Sequence, residues 1–219
     1  MQKKKRKGMD SELSARCKKC GTCCKKGGPA LHKEDKEILS AGHLGIERLI
    51  TLRKGEFAFS PLSGKLEPIQ SELVKIAGRG KEWTCCLYNE QKSRCMMYAH
   101  RPLECRLLRC WDTEGILSVI GKDTLTRADI LAPDDPVIRH IELHEKECSP
   151  QVFEDLISVL GKNNNDVKSK ARLAHLIELD LALRSKAVSE FGLSLEAELF
   201  LFGRPLFKIL NLRGLQMMG

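Results

Sequence analysis

Apolar residues recur at helical spacing through the second half of the chain. Leu173, Leu176 and Ile177 lie three and four residues apart, which is the period of one helix face. Pro136 and Pro150 each follow polar residues and mark positions where helices begin. The pattern predicts helices over residues 136–147, 150–160, 167–190 and 195–211. The last helix is predicted to bend where Gly203 and Pro205 interrupt it.

The first half of the chain has a less regular pattern. Residues 33–53 are predicted to form a helix, in one or two pieces around Gly42 and Gly45. Short strands are predicted over residues 56–59 and 73–76, and further short helices begin near Pro102 and Thr113.

The predicted fold is mainly α, with a loop-rich, metal-stabilised cysteine-cluster region that contains short strands and precedes a helical extension. We divide the chain into a basic disordered tail at residues 1–14, a cysteine-cluster domain at 15–122 and an α-helical extension at 123–219. Metal binding is expected to contribute to the folding energy of the cysteine-cluster domain.

The cysteines change this picture most. Nine of the ten fall into two groups, and Cys148 stands alone. The first group is the run C-x-x-C-x-x-C-C, formed by Cys17, Cys20, Cys23 and Cys24. The second comprises Cys85, Cys86, Cys95, Cys105 and Cys110. Thiolates are soft ligands, and closely spaced thiolates can surround one metal with little loop entropy to overcome.

The terminus and the hydropathy predict a cytoplasmic protein. The basic start of the chain is not followed by the apolar segment of a signal peptide, and no stretch approaches transmembrane length. Thiols stay reduced in the cytoplasm, so the cysteines favour metal binding over disulfides. We therefore expect no membrane partner.

The net positive charge is concentrated at the start of the chain. Residues 1–28 hold ten Lys and Arg but two acids, so they carry the entire net charge of +8. One interpretation is a tail that binds nucleic acid or an acidic partner. The other is compensation of a thiolate site by Lys18, Lys19, Lys25 and Lys26.

The order of the two cysteine groups resembles a known bacterial family. After C-x-x-C-x-x-C-C come Cys85-Cys86-Leu87-Tyr88, then Cys95, then Tyr98-Ala99-His100-Arg101-Pro102 with Cys105-Arg106, and finally Cys110. This order is similar to the YkgJ-like family, which is named for its C-x-x-C-x-x-C-C motif and described as a zinc- or iron-chelating domain. The resemblance covers residues 17–110.

The resemblance implies metal chelation by eight cysteines. Carried over position by position, they are Cys17, Cys20, Cys23, Cys24, Cys85, Cys95, Cys105 and Cys110. Cys86 is then an extra thiol beside Cys85, although the reverse assignment is open. Eight thiols suit two four-thiolate sites or one polynuclear cluster. Both zinc and an iron–sulfur cluster are compatible, since the first three cysteines match the spacing of a ferredoxin run.

A few other residues are candidates for the site. Arg101 and Arg106 adjoin the second group and could hydrogen-bond the thiolate sulfurs, or else pair with surface acids. His140, His144 and Cys148 recur every four residues, which is compatible with a second metal site but more typical of a polar helix face.

Three classes of function follow. The leading hypothesis is a protein that chelates zinc or an iron–sulfur cluster for structure, electron transfer or metal handling. An iron–sulfur-dependent methyltransferase or other modification enzyme is the first alternative, because a bacterial flagellin lysine methylase has a similar cysteine pattern and the helical extension could supply a substrate site. A zinc-stabilised nucleic-acid-binding module is the second, through Lys3 to Lys7 and the lysines around the first cluster.

Overall fold

The computed structural model describes residues 19–213. The predicted basic tail, Cys17 and Lys18 lie outside these residues, and so do the nucleic-acid and acidic-partner predictions that rest on the tail. Of the described residues, 48% are helical and 15% lie in strands or bridges. The prediction of a mainly α fold is therefore wrong.

Long helices form the second half of the described chain. They are α5 (Val137–Glu147), α6 (Pro150–Lys162), α7 (Val167–Phe191), α8 (Leu195–Phe202) and α9 (Leu206–Leu212). Side chains cap the starts of two of these helices: Asp166 and Ser194 accept hydrogen bonds from backbone N–H groups in the first turns of α7 and α8. Pro150 occupies the first position of α6, where its missing N–H costs nothing. The helices predicted over 136–147, 150–160 and 167–190 are confirmed.

The predicted helix over 195–211 is two helices rather than one bent helix. Gly203 has φ of 68° and ends α8, and Pro205 precedes α9. A residue at positive φ cannot continue a right-handed helix, and proline cannot donate to the preceding turn. Shorter helices precede this region: α1 (Lys36–Ser40), α2 (Leu103–Leu107), α3 (Glu114–Leu117) and α4 (Arg127–Ile130).

Short antiparallel strand pairs form much of the first half. The strands are β1 (Leu49–Leu52), β2 (Phe57–Ser60), β3 (Lys65–Pro68), β4 (Leu73–Ile76), β5 (Gly78–Arg79), β6 (Thr84–Cys85), β7 (Tyr88–Asn89) and β8 (Arg94–Cys95). The pairs are β1 with β4, β2 with β3, β5 with β6 and β7 with β8. The two strands predicted from the sequence correspond to β2 and β4. The others make the cysteine region richer in strands than predicted.

The predicted helix over residues 33–53 is wrong beyond α1. A 3-10 helix, Ile46–Arg48, leads directly into β1, where all four residues are buried. Leu49 pairs with Ile76 and Leu52 with Leu73. An apolar run that is buried on both faces pairs as a strand, and its hydrophobicity alone does not separate it from a buried helix.

Two hydrophobic clusters lie under these elements. The first joins β1 and β4 to α5 and α8 through residues such as Leu49, Ile76 and Phe200. The second lies among α6, α7 and α9 and includes Phe153 and Leu173. Helix α8 packs on β1, and this contact joins the cysteine region to the helices. The domain boundaries at 14 and 122 remain a prediction.

Candidate metal centre

The first cysteine run folds around a glycine that must lie against an aromatic ring. Gly21 has φ of 78°, and a Cβ placed on it would lie 2.0 Å from the hydroxyl oxygen of Tyr88. Tyr88 is buried in β7. The 3-10 helix Cys24–Lys26 follows and packs on β6. The close approach of Gly21 to Tyr88 thus brings the first cysteine run to the second group.

Two two-residue ladders carry thiols of the second group. Cys85 lies in β6 opposite Gly78, and Cys95 lies in β8 opposite Tyr88. Cys85 is buried and Cys95 is half-buried. The ladders fix the backbone on either side of each thiol, so the two side chains have defined positions relative to Tyr88.

Helix α2 carries Cys105, and two carboxylates hold this helix to the first half of the chain. Asp35 Oδ1 accepts a hydrogen bond of 2.8 Å from the N–H of Leu103, the first residue of α2. Glu104 accepts hydrogen bonds from the N–H of Ala30, at 2.9 Å, and from the His32 ring, at 3.3 Å. These three hydrogen bonds join residues that are about seventy positions apart, and the sequence offered no signal for them.

Five thiols lie near the place where these elements meet, although no three of their sulfur atoms lie within 4.8 Å of one another in the described residues. They are Cys23, Cys24, Cys85, Cys95 and Cys105. The Sγ atoms of Cys23 and Cys24 are 4.0 Å apart. Burial raises the pKa of Cys105, and the charges of Cys85, Cys23 and Cys95 raise it further. Mutual effects of this kind require the sulfurs to lie close together, because Coulomb interactions weaken with distance.

The thiols of this group differ in acidity. Cys23 and Cys24 share a sulfur–sulfur hydrogen bond, which lowers the pKa of Cys23 and raises that of Cys24. Arg101 also lowers the pKa of Cys23. Burial raises the pKa of Cys85 to about 11. Cys23 is therefore the member of the group most easily deprotonated.

The other cysteines lie at the edge of the group or outside it. Cys20 is exposed, and its hydrogen bond with the Thr22 hydroxyl at 3.3 Å lowers its pKa. Cys86 Sγ lies 3.8 Å from the Arg48 carbonyl, so the geometry favours Cys85 as the member of the group. Cys110 is exposed in the turn after α2. Each cysteine in residues 19–213 is a free thiol.

The two arginines proposed from the sequence have different surroundings. The Arg101 guanidinium lies 4.0 Å from the centre of the Tyr98 ring, and its Nε donates to the Tyr98 carbonyl oxygen at 3.1 Å. The positive charge of Arg101 also lowers the pKa of the Cys23 thiol, so Arg101 lies near the thiol group. Arg106 donates to Glu34 on the surface. The structure thus brings Arg101 to the thiols and pairs Arg106 with an acid.

The donor set fits a thiolate-bound metal. In a tetrahedral zinc site with bonds of about 2.3 Å, two sulfur ligands lie about 3.8 Å apart. The 4.0 Å separation of Cys23 and Cys24 is close to that value. The adjacent Cys23 and Cys24 can therefore serve the same centre.

Residues 16–127 match the model of the CxxCxxCC family, described as "Putative zinc- or iron-chelating domain". The chain belongs to this family. The match covers half of the chain and includes both cysteine groups, so the family resemblance and the expectation of metal binding are confirmed. The family description leaves the choice between zinc and iron open. No curated protein and no solved structure matches the chain.

The part of the chain from 19 to 213 contains no helix with both the length and the apolar character needed to cross a bilayer. This agrees with the hydropathy of the sequence.

A second buried polar group lies away from the thiols. His144, Cys148 and Asp180 place potential ligand atoms within 4.8 Å of one another, and all three are fully buried. His140, the third member of the predicted helix face, instead pairs with Glu190 and packs on Phe191. The interpretation as a polar helix face is therefore incomplete, since His144 and Cys148 point into the core.

Hydrogen bonds within the protein already satisfy this group. His144 accepts at Nδ1 from Arg53 Nη1, at 3.3 Å, and donates from Nε2 to Asp180, at 2.6 Å. Arg184 Nε donates to the same carboxylate at 2.7 Å. Two guanidinium groups beside the imidazole would repel a cation. We therefore interpret the group as a buried ion network that stabilises the fold.

The replacement Gly21→Ala is expected to reduce both stability and metal binding. The new Cβ would overlap the Tyr88 ring and would also occupy a positive φ, so we expect a loss of about 2–4 kcal/mol in the free energy of unfolding. Denaturant unfolding and metal stoichiometry measure the two effects.

Gly64→Ala is the matched control for this variant. Gly64 has φ of 67° with no atom within 4 Å of an added Cβ, so it isolates the cost of the backbone conformation. That cost is about 1–2 kcal/mol, without an effect on metal content. Equal losses in the two variants would mean that the contact with Tyr88 does not position the first cysteine run.

Proposed function

We propose that the protein chelates a polynuclear metal centre, of zinc or of iron with sulfide, where its two cysteine groups meet. Cys23, Cys24, Cys85, Cys95 and Cys105 are the ligands in this proposal. Cys17, Cys20 and Cys110 complete the family's eight cysteine positions. The observation that carries the proposal is that five thiols from segments far apart in the sequence act on one another's pKa values, and that the Sγ atoms of two of them, Cys23 and Cys24, lie 4.0 Å apart.

The number of thiols favours more than one metal atom. A single tetrahedral ion uses four sulfur ligands, and a fifth buried thiol would be left unused. Thiolates can bridge two metal atoms, so five to eight thiolates around one point suit a cluster. Burial raises the pKa values of Cys85 and Cys105, so these groups are neutral thiols without a metal and lose their protons only when one binds.

The identity of the metal would decide the role. Zinc would supply structural stability or a store of exchangeable metal, since it has no redox chemistry at this site. Iron with sulfide would supply one-electron chemistry, tuned by charge and hydrogen bonds around the sulfurs. We also propose a cytoplasmic location, because free thiols persist in a reducing compartment.

Anaerobic purification followed by elemental analysis and absorption spectroscopy tests this function. We expect more than one metal atom per chain, with either zinc and no colour or iron, sulfide and a broad band near about 400 nm. Cys105→Ser is expected to lose at least half of the metal, since it removes one of the five thiols.

Cys148→Ala provides the matched control. This cysteine is buried in the second hydrophobic cluster, so its removal is expected to leave the metal content unchanged. A wild-type protein without stoichiometric metal would rule out the proposed function. Equal metal loss from the Cys105 and Cys148 variants would attribute the loss to instability rather than to ligation.

A further inference from the structure

Lys75, in β4, extends its side chain toward the cysteine region. Val74 and Ile76 point into the core, whereas Lys75 lies on the opposite face of the strand. The Cα of Lys75 pairs with Ile50 on one side and with Ala30 on the other. Its Nζ lies 4.0 Å from the position of a Cβ on Gly27, directly after the 3-10 helix Cys24–Lys26. The ammonium group thus lies beside Gly27, at the end of the first cysteine run.

The surroundings of this ammonium are anionic. Glu104, which precedes Cys105, accepts a hydrogen bond from Ala30, the bridge partner of Lys75. Burial lowers the pKa of Lys75 below its usual value and Arg204 lowers it further, while the charges of Glu104 and Cys85 oppose this effect. Lys75 in turn lowers the pKa of Cys85. The cation therefore lies between the first cysteine run, Cys85 and the residue before Cys105.

A thiolate-bound metal centre needs such a cation. Four thiolates on one divalent ion leave a net charge of about −2, and burying this charge without compensation is costly. Lys25 and Lys26 are poorly placed to offset it, because both are exposed and water screens their charge. Lys75 is only partly exposed and is held by a strand.

We propose that Lys75 is the built-in counter-charge of the metal centre and raises its affinity for metal. This inference rests on the proposed function. Lys75 acts as a positioning and charge-compensating residue rather than as a ligand, because an ammonium group has no free lone pair. Neighbours that support ligands in this way typically change metal affinity by about 10- to 100-fold when they are removed.

Competition for Zn²⁺ between the metal-free protein and a chromogenic chelator tests the proposal. Lys75→Met removes the charge and keeps most of the side-chain length, and we expect it to raise the Kd for Zn²⁺ about tenfold. Lys75→Arg keeps the charge and is expected to restore most of the affinity. Lys25→Met removes a charge from the same region and is expected to change the Kd less than twofold.

The thermal unfolding of the metal-free proteins separates charge compensation from a structural role. Thiols release their protons when the metal binds, so most of the negative charge arises only in the loaded protein. Metal-free Lys75→Met is therefore expected to be at least as stable as the metal-free wild type. A parallel loss of stability, or an unchanged Kd, would overturn the inference alone. A wild type that does not bind Zn²⁺ through its cysteines would overturn the proposed function as well.

Discussion

Asp180→Ala is expected to destabilise the protein by about 3–5 kcal/mol, because it leaves the buried Arg184 guanidinium and the His144 ring without their shared acceptor. Asp180 Oδ1 accepts from His144 and Arg184, and its Oδ2 accepts from the N–H of Leu206 at 3.0 Å. All of these groups are shielded from water, so none can replace the lost partner with solvent. Equilibrium unfolding in denaturant, followed by circular dichroism, measures the change.

Asp166→Ala is the matched control, because Asp166 belongs to the same region of the chain and caps the start of α7 from a half-buried position. Losing such a cap costs about 1 kcal/mol. If Asp180→Ala does not fold, Asp180→Asn supplies the comparison, since it keeps the shape and removes the charge. A loss below that of the Asp166 variant would mean that the network contributes no more than a surface cap.

The network of Asp180 also connects the two halves of the chain. Arg53 follows β1 and is fully buried, and its Nη1 donates to the Cys148 carbonyl oxygen at 2.9 Å. Arg184 on α7 donates to the Phe202 carbonyl oxygen at 2.9 Å, at the end of α8. The polar contacts therefore join β1, α5, α7 and α8 around one carboxylate. Such contacts fix the orientation of the helices, because each hydrogen bond has a preferred direction.

Sequence reasoning found the elements whose signals are local. Helices α5, α6 and α7 were predicted because their apolar spacing, caps and prolines lie within a few residues of one another. The cysteine groups were recognised for the same reason, since C-x-x-C-x-x-C-C is one contiguous run. The four-residue strand β4 was also predicted from its own composition.

Features that depend on distant partners were missed. Two-residue ladders such as β6 and β8 have too few residues for an alternating pattern, and β1 looked helical because its pairing with β4 lies more than twenty residues away. The local sequence does not distinguish Lys75 from any other lysine in a strand. The position of Lys75 beside the first cysteine run depends on Ala30 and Glu104, and no pattern around residue 75 encodes either contact.

Removal of the metal is expected to open the cysteine region and to leave the helices that bury the second hydrophobic cluster folded. Ladders of two residues, such as β5–β6 and β7–β8, are too short to be stable by themselves. Helices α6 and α7 pack on each other through apolar side chains and require no thiol. Hydrogen–deuterium exchange with and without a strong chelator, read by mass spectrometry, distinguishes the two regions.

Peptides covering residues 78–107 are expected to exchange at least about tenfold faster after chelation, while those from α6 and α7 keep their rates. The Cys105→Ser variant should show the same regional pattern without chelator, and the Cys148→Ala variant should not. A uniform increase across all peptides would contradict this expectation, because it would mean that the metal and the ion network of Asp180 stabilise one cooperative unit. Unchanged exchange around Cys85 and Cys95 would mean that the strands hold the thiols in place before any metal binds.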